Sequence, residues 1–161
     1  MVYFILDKGT LQMRLWIDLF EKNMLNDKQS ESKVISLYRA ANDFTKSYIE
    51  TIFDKKELQN KTIQDISLPS MIMIINDCTK FLEMCEKDKI DFNNQKLWNC
   101  KPLSPAIMCG CDFWLMRIGD RQDFFNKTHW ENPYHEKLTN IANSFKKLSV
   151  EIDDKGIINL I

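Results

Sequence analysis

Residues Ser104 to Gly119 read Ser-Pro-Ala-Ile-Met-Cys-Gly-Cys-Asp-Phe-Trp-Leu-Met-Arg-Ile-Gly and are apolar on almost every face between a helix start and a helix stop. Ser104 is a residue type that caps free helical amides, and Pro105 takes the first helical position, where its missing N–H costs nothing. Gly119 supplies the left-handed residue that ends many helices. A helix that is apolar all round is buried all round. At about fifteen residues it is too short to cross a bilayer, which takes about twenty. The segment predicts the central helix of a soluble bundle, wrapped by amphipathic partners.

The rest of the chain supplies those partners. Leu11 to Met24 reads as a first helix, with Leu11, Leu15, Trp16, Leu19 and Phe20 on one broad face. After a polar loop, one long helix is predicted from about Glu31 to Phe53, where Val34, Tyr38, Ala41, Thr45, Tyr48 and Ile52 recur at helical spacing. Leu37, Phe44 and Ile49 widen that stripe. Asp54 to Lys61 is charged and predicts a turn with part of a short helix, and Thr62 to Ile66 one more turn. Pro69 opens a helix carrying Met71, Ile74, Ile75, Cys78, Leu82 and Cys85. Lys87 to Lys101 is a mostly polar connection anchored by Trp98. Asn132-Pro133 starts a last long helix with Tyr134, Leu138, Ile141, Phe145 and Leu148 on one face, and Gly156 breaks it, leaving Ile157 to Ile161 to pack as a final turn or tail. Strand-like alternation is confined to a weak case at Val2 to Leu6. The expected architecture is all-α, with amphipathic helices around a central apolar helix. No repeat or Gly/Ser linker divides the 161 residues, so 1–161 is expected to be a single domain with a real core.

Charge narrows the partners. Lys and Arg number 22 against 23 Asp and Glu, which leaves no net field to draw in nucleic acid or an anionic membrane. The N-terminal Met1-Val-Tyr-Phe-Ile-Leu-Asp-Lys has an apolar run without a basic leader or small-residue cleavage site, and reads as mature structure. Asn60-Lys61-Thr62 and Asn126-Lys127-Thr128 are glycosylation triplets, expected to be unused without export. Five cysteines, an odd number, point to reduced thiols in a cytosolic compartment.

The candidates for chemistry are few. Cys109 and Cys111 flank Gly110, but helical positions i and i+2 lie about 200° apart, so the two thiols cannot grip one ion. Their spacing also differs from zinc and thioredoxin-like pairs. Small buried thiols and a mid-helix glycine instead predict close helix packing. Cys78 and Cys85 read as core thiols, and Cys100, in a polar loop, as the cysteine with reactive potential. Asp112 is the single acid in the apolar helix and requires a partner or an escape at an edge, with Arg14 or Arg39 the candidates. His129 and His135, six apart, are expected to be surface imidazoles. No phosphate loop, nucleophile elbow or metal-ligating helical pair occurs, so no catalytic residue, metal or cofactor is assigned. The charged link from Gly119 to Trp130 holds Phe124, Phe125 and Trp130 beside Asp120 and Arg121. Aromatics here serve either as buried anchors or as an interface, whose composition favours aromatics and Arg. The candidate partner-binding residues are Trp16, Phe20, Asp120, Arg121, Phe124, Phe125 and Trp130.

The order of these elements resembles the poxvirus Bcl-2-like family of intracellular immune and apoptosis antagonists, of the vaccinia type. Leu37-Tyr38-Arg-Ala-Ala-Asn-Asp-Phe44, followed by Tyr48, Ile49 and Phe53, is similar to that family's early helix. Ala106-Ile-Met-Cys-Gly-Cys-Asp-Phe-Trp-Leu-Met-Arg-Ile-Gly119 is similar to its central helix in length and chemistry. Leu138 to Leu148, then Asp153-Asp154 and Ile157-Ile158, resemble its final helix and apolar tail. The likeness spans Leu11 to Ile161. It implies a Bcl-2-like helical bundle in the host cell cytoplasm that binds proteins and catalyses nothing. Family members block NF-kappaB or interferon-regulatory-factor activation, or hold pro-death helices in a groove, and many form homodimers.

One departure decides between those roles. Cellular groove binders carry Asn-Trp-Gly-Arg before the central helix, and this chain has Asn99-Cys-Lys-Pro-Leu-Ser-Pro105. Lys101 replaces that Arg only as a point charge. The expectation is a viral inhibitor of host innate immune signalling. The alternatives are a groove-binding inhibitor of apoptosis that sequesters pro-death helices and, from another class, a small helical enzyme or redox protein using Cys100 or Asp112.

Overall fold

The computed structural model describes residues 27–92, 104–121, 130–131 and 133–161. Among these the chain is mainly helical: α1 Asp27–Ala40, α2 Asp43–Ile52, α3 Leu68–Lys87, α4 Pro105–Arg117 and α5 Tyr134–Asn143. Short 3-10 turns at Lys56–Leu58 and Ile63–Asp65 lead into α3. A two-stranded hairpin, β1 Val150–Ile152 and β2 Ile158–Leu160, follows α5. The helix expected at Leu11–Met24, Trp98 and the alternation at Val2–Leu6 lie outside the described residues.

The central helix is α4. Ser104 accepts the Ile107 amide at 3.3 Å, Pro105 occupies the first turn and Gly119 takes a φ of +77° just past the end. No residue from Ser104 to Ile118 is exposed. Its Phe113 joins an aromatic spine, with ring centroids 4.3 Å from Phe81 of α3 and 5.0 Å from Phe145 beyond α5. Phe44 of α2 stacks on Phe81 at 5.3 Å, and Tyr48 meets Trp114 edge-on at 5.3 Å. Edge-to-face and offset pairs of this kind add stability beyond their buried area.

The most extensive helix contact among the described residues is α2 against α4, and Gly110 makes it possible. A Cβ placed on Gly110 would lie 2.2 Å from the Phe44 carbonyl oxygen. The two backbones touch where a side chain would stand. Hydroxyls fill the same seam: Ser47 Oγ donates to the Ile107 carbonyl at 2.7 Å and sits 2.9 Å from Cys111 Sγ. Thr51 Oγ1 donates to the Ser47 carbonyl at 2.7 Å and lies 3.2 Å from the same thiol.

Four expectations are corrected. The polar stretch Asn26 to Ser32, expected to be a loop, is already helical from Asp27. The single helix over 31–53 is two helices, because Asn42 adopts extended backbone (ψ 170°) and its side chain accepts the Thr45 amide at 2.8 Å. An Asx cap of this strength starts a new helix and ends the old one. The last helix stops at Asn143, short of Leu148. The chain beyond it satisfies the end of α4 instead, with the Leu148 amide donating to the Arg117 carbonyl at 2.7 Å. The tail, expected to be helical or irregular, forms the hairpin. Asp153 Oδ1 accepts the Lys155 and Ile157 amides, both at 2.9 Å, and Gly156 turns the chain at a φ of +81°. The structure is thus mostly α with a short β addition.

Among the described residues that hairpin is fastened through β2 and its turn. The β2 carbonyl of Ile158 accepts the Ser67 amide at 2.9 Å, and the Leu160 amide donates to Ser70 Oγ at 2.9 Å, deep in the protein. Lys61 Nζ donates to the Gly156 carbonyl at 2.6 Å and holds the turn. No helix among the described residues is long and apolar enough to cross a membrane.

Candidate functional site

Asp112 is the buried acid of α4, only 1% exposed. Of the two candidate partners, Arg39 is exposed on α1 and Arg14 lies outside the described residues. Arg121 provides the charge, with Nη1 3.1 Å from Asp112 Oδ1, and the Trp130 indole N–H donates to Oδ2 at 2.9 Å. Gly119 turns the chain so that Arg121 folds back, and the Arg121 amide also reaches the Leu115 carbonyl at 3.3 Å. Partial burial lowers the Arg121 pKa, and the attraction of Asp112 opposes that shift. Both oxygens of the carboxylate therefore meet donors. An acid held in this way is a strut and not a free base, and it ties both ends of the link after α4 to the core.

This node bears directly on the predicted partner-binding residues. Trp130 is fully buried and works as an internal anchor, because its N–H must reach Asp112. Asp120 is exposed and Arg121 is half-buried beside it. Trp16, Phe20, Phe124 and Phe125 lie outside the described residues, as do Cys100 and His129. His135, expected at the surface, is 7% exposed on the inner face of α5. Its register with Leu138 and Ala142, both buried, carries it inward.

A second, partly buried pair was not anticipated. Arg117 Nη1 lies 2.6 Å from Asp77 Oδ2, with the Arg117 side chain 3% exposed. Its guanidinium also stands 5.4 Å from the Phe145 ring centroid and 5.7 Å from that of Phe113, within cation–π range. The available signal was Arg117 itself, a cation in the last turn of an otherwise apolar helix.

Three of the described thiols are buried in the core. Burial raises the pKa of Cys78, Cys85 and Cys109, which holds each as the neutral thiol. The side chains of Cys109 and Cys111 diverge as the helical spacing requires, the first buried and the second half-buried at the Ser47–Thr51 seam. Among the described residues no cluster of His, Cys, Asp or Glu is arranged to hold a metal ion.

What the described surface offers is shape. A cleft of about 510 Å³ opens between α1, the Ile63–Asp65 turn and the hairpin, with Glu31, Gln64, Pro69, Lys155 and Asn159 on its walls. A shallower recess of about 280 Å³ shares Glu31 and Gln64 and continues along α1 past Ile35 to Arg39. Both signs of charge line this surface, and no reactive group is concentrated there. Comparison with known protein families, characterised proteins and solved structures finds no match to this chain.

Proposed function

We propose that this chain is a protein-binding antagonist with a Bcl-2-like helical bundle, a viral inhibitor of host innate immune signalling that works without catalysis. The observation that supports this reading is α4, a central helix with no exposed residue from Ser104 to Ile118, packed against α2 and α5. The use made of the polar groups supports it. Asp112, Ser47 and Ser70 spend hydrogen bonds on joining elements to one another, and Thr51 reaches Cys111 across the same seam. The binding surface then comes from shape and exposed charge. The proposed partners are host proteins of the NF-kappaB or interferon-regulatory-factor pathways, met in the host cytoplasm, with homodimerisation a further property of the same reading.

A reporter assay decides between this and the groove-binding alternative. Expression in stimulated cells is expected to cut an NF-kappaB or interferon-regulatory-factor reporter several-fold, while calorimetry with a panel of pro-death helix peptides stays silent. Peptide binding with a dissociation constant of about a micromolar, roughly −8 kcal/mol, together with an unchanged reporter, would replace signalling inhibition by apoptosis inhibition.

A further inference from the structure

Among the described residues one edge of the hairpin's sheet is unpaired, and its chemistry selects what can be added there. Ser149 and Ile161 exchange both backbone hydrogen bonds, at 2.8 and 3.1 Å, and the Asp153 amide donates to the Ile157 carbonyl at 3.0 Å. In an antiparallel ladder such bonded residues alternate with residues whose amides and carbonyls point the other way. The outward residues of β2 are Ile158 and Leu160, and both are taken, by Ser67 and Ser70. The outward residues of β1 are Val150 and Ile152, and no described strand pairs with them. Ile152 is 42% exposed, and the other large apolar residue exposed among the described ones, Ile161 at 53%, belongs to the same hairpin.

We propose that β1 is a docking edge for an extended segment of a partner protein, one that alternates basic and apolar residues. The main chain of Val150 and Ile152 would supply two donors and two acceptors, as in other cases of strand addition. Side chains would set the register. Val150 and Ile152 stand on the core-facing side of the sheet with Ile158 and Leu160, so an apolar residue placed beside Ile152 extends that face. Glu151 and Asp153 stand on the opposite, solvent side and are exposed. Residues facing them two apart are therefore basic.

A second copy of this chain is the wrong occupant. Symmetric antiparallel pairing of β1 through its central residue sets Glu151 against Glu151, and directly opposed like charges destabilise a strand pair. A charge in the middle of an edge strand guards against self-pairing while remaining attractive to a basic partner. The inference does not depend on which host pathway is inhibited.

The test is a titration of the full-length, isotope-labelled chain followed by amide NMR. The probes are two capped hexapeptides, Thr-Lys-Val-Lys-Val-Thr and Thr-Glu-Val-Glu-Val-Thr. The lysine peptide is expected to shift the Val150 and Ile152 amides, to slow their hydrogen exchange, and to bind at least roughly tenfold tighter than the glutamate peptide. Glu151→Lys, on an exposed side chain, should narrow or reverse that preference with the rest of the spectrum unchanged. Ile152→Pro, which deletes an outward N–H and leaves the β1–β2 bonds in place, should abolish the response. Equal response to both peptides, or none at Val150 and Ile152 up to millimolar concentration, overturns the proposal. So does a change in these two amides with protein concentration alone, which would make a second copy the occupant.

Discussion

Replacing Gly110 by Ala tests the central packing claim, because two known effects of this substitution have opposite signs. In an exposed helix the change stabilises by about 1 kcal/mol, since glycine is the poorer helix former. Here the added methyl meets the Phe44 carbonyl oxygen at 2.2 Å, with the Phe44 carbonyl carbon and the Tyr48 nitrogen both at 3.1 Å. These are backbone atoms and cannot swing aside as a side-chain end can. Relief requires α2 and α4 to separate by roughly 1 Å before ordinary contact distances are restored. Overpacking of that kind costs about 1–3 kcal/mol. The same separation stretches the Ser47 bond to Ile107 and the Ser47 and Thr51 contacts with Cys111, now 2.7, 2.9 and 3.2 Å. Losing two such bonds adds about 2 kcal/mol. With the helix-propensity gain subtracted, the net loss is about 2–4 kcal/mol, a fall in melting temperature of roughly 5–15 °C at this chain length.

Urea unfolding followed by far-UV circular dichroism reads this directly, as a lower midpoint at unchanged slope. Gly119→Ala is the control. That residue has a φ of +77° but nothing within 4 Å, so only backbone strain of about 1 kcal/mol is expected. A Gly110→Ala protein as stable as the parent would refute the close approach of α2 and α4.

Four further outcomes follow from buried and half-buried groups. Asp112→Ala leaves the buried Trp130 N–H without its acceptor and should destabilise by about 2–4 kcal/mol in urea, while Asp112→Asn keeps an acceptor and should lose about half as much; equal losses would mean that the charge alone matters. Ser70→Ala strands the Leu160 amide and should cost about 1–3 kcal/mol, with hydrogen exchange at β2 rising before exchange at α3. Stability should also fall in alkali. Tyr38, held protonated by its hydrogen bond to Glu50 and by partial burial, is raised from 10.0 to about 12, and burial raises Cys78 from 9.0. Groups whose folded pKa lies above the unfolded one contribute fully below the unfolded value, and lose that contribution as pH climbs toward the folded one. The urea midpoint should accordingly hold to about pH 8.5 and decline above pH 9, and Cys78, Cys85 and Cys109 should resist iodoacetamide at pH 8 until the chain unfolds. Rapid native labelling of these three would contradict their burial.

The central helix was legible because its signals are local. Ser104, Pro105 and Gly119 act on amides and carbonyls within one turn, and the lack of a polar face on the segment between them requires burial whatever surrounds it. Gly110 and the two flanking thiols likewise announced a close approach, although not that α2 would be the helix approaching. The break at Asn42 was obscured because the apolar spacing runs on from Val34 to Ile52, so periodicity argued for one helix while the Asn42-Asp43 pair argued for two. The hairpin was obscured by its size, since three residues of alternation in Val150-Glu-Ile152 are too few to stand out from a frayed helix end.

The candidate site was less legible, because its residues are far apart in sequence. Arg121 reaches Asp112 only after the chain reverses at Gly119, and Trp130 completes the pair from beyond the link. By itself the sequence determined where α3, α4 and α5 start and which helix is central, since caps and periodicity act over a few residues. The tertiary structure decided that Arg121 meets Asp112, why the last helix stops at Asn143, and which strand edge the described residues leave unpaired. Those outcomes depend on desolvation and on hydrogen bonds between groups tens of residues apart, as when Leu160 finds Ser70, and only the folded arrangement of the whole chain selects among such partners.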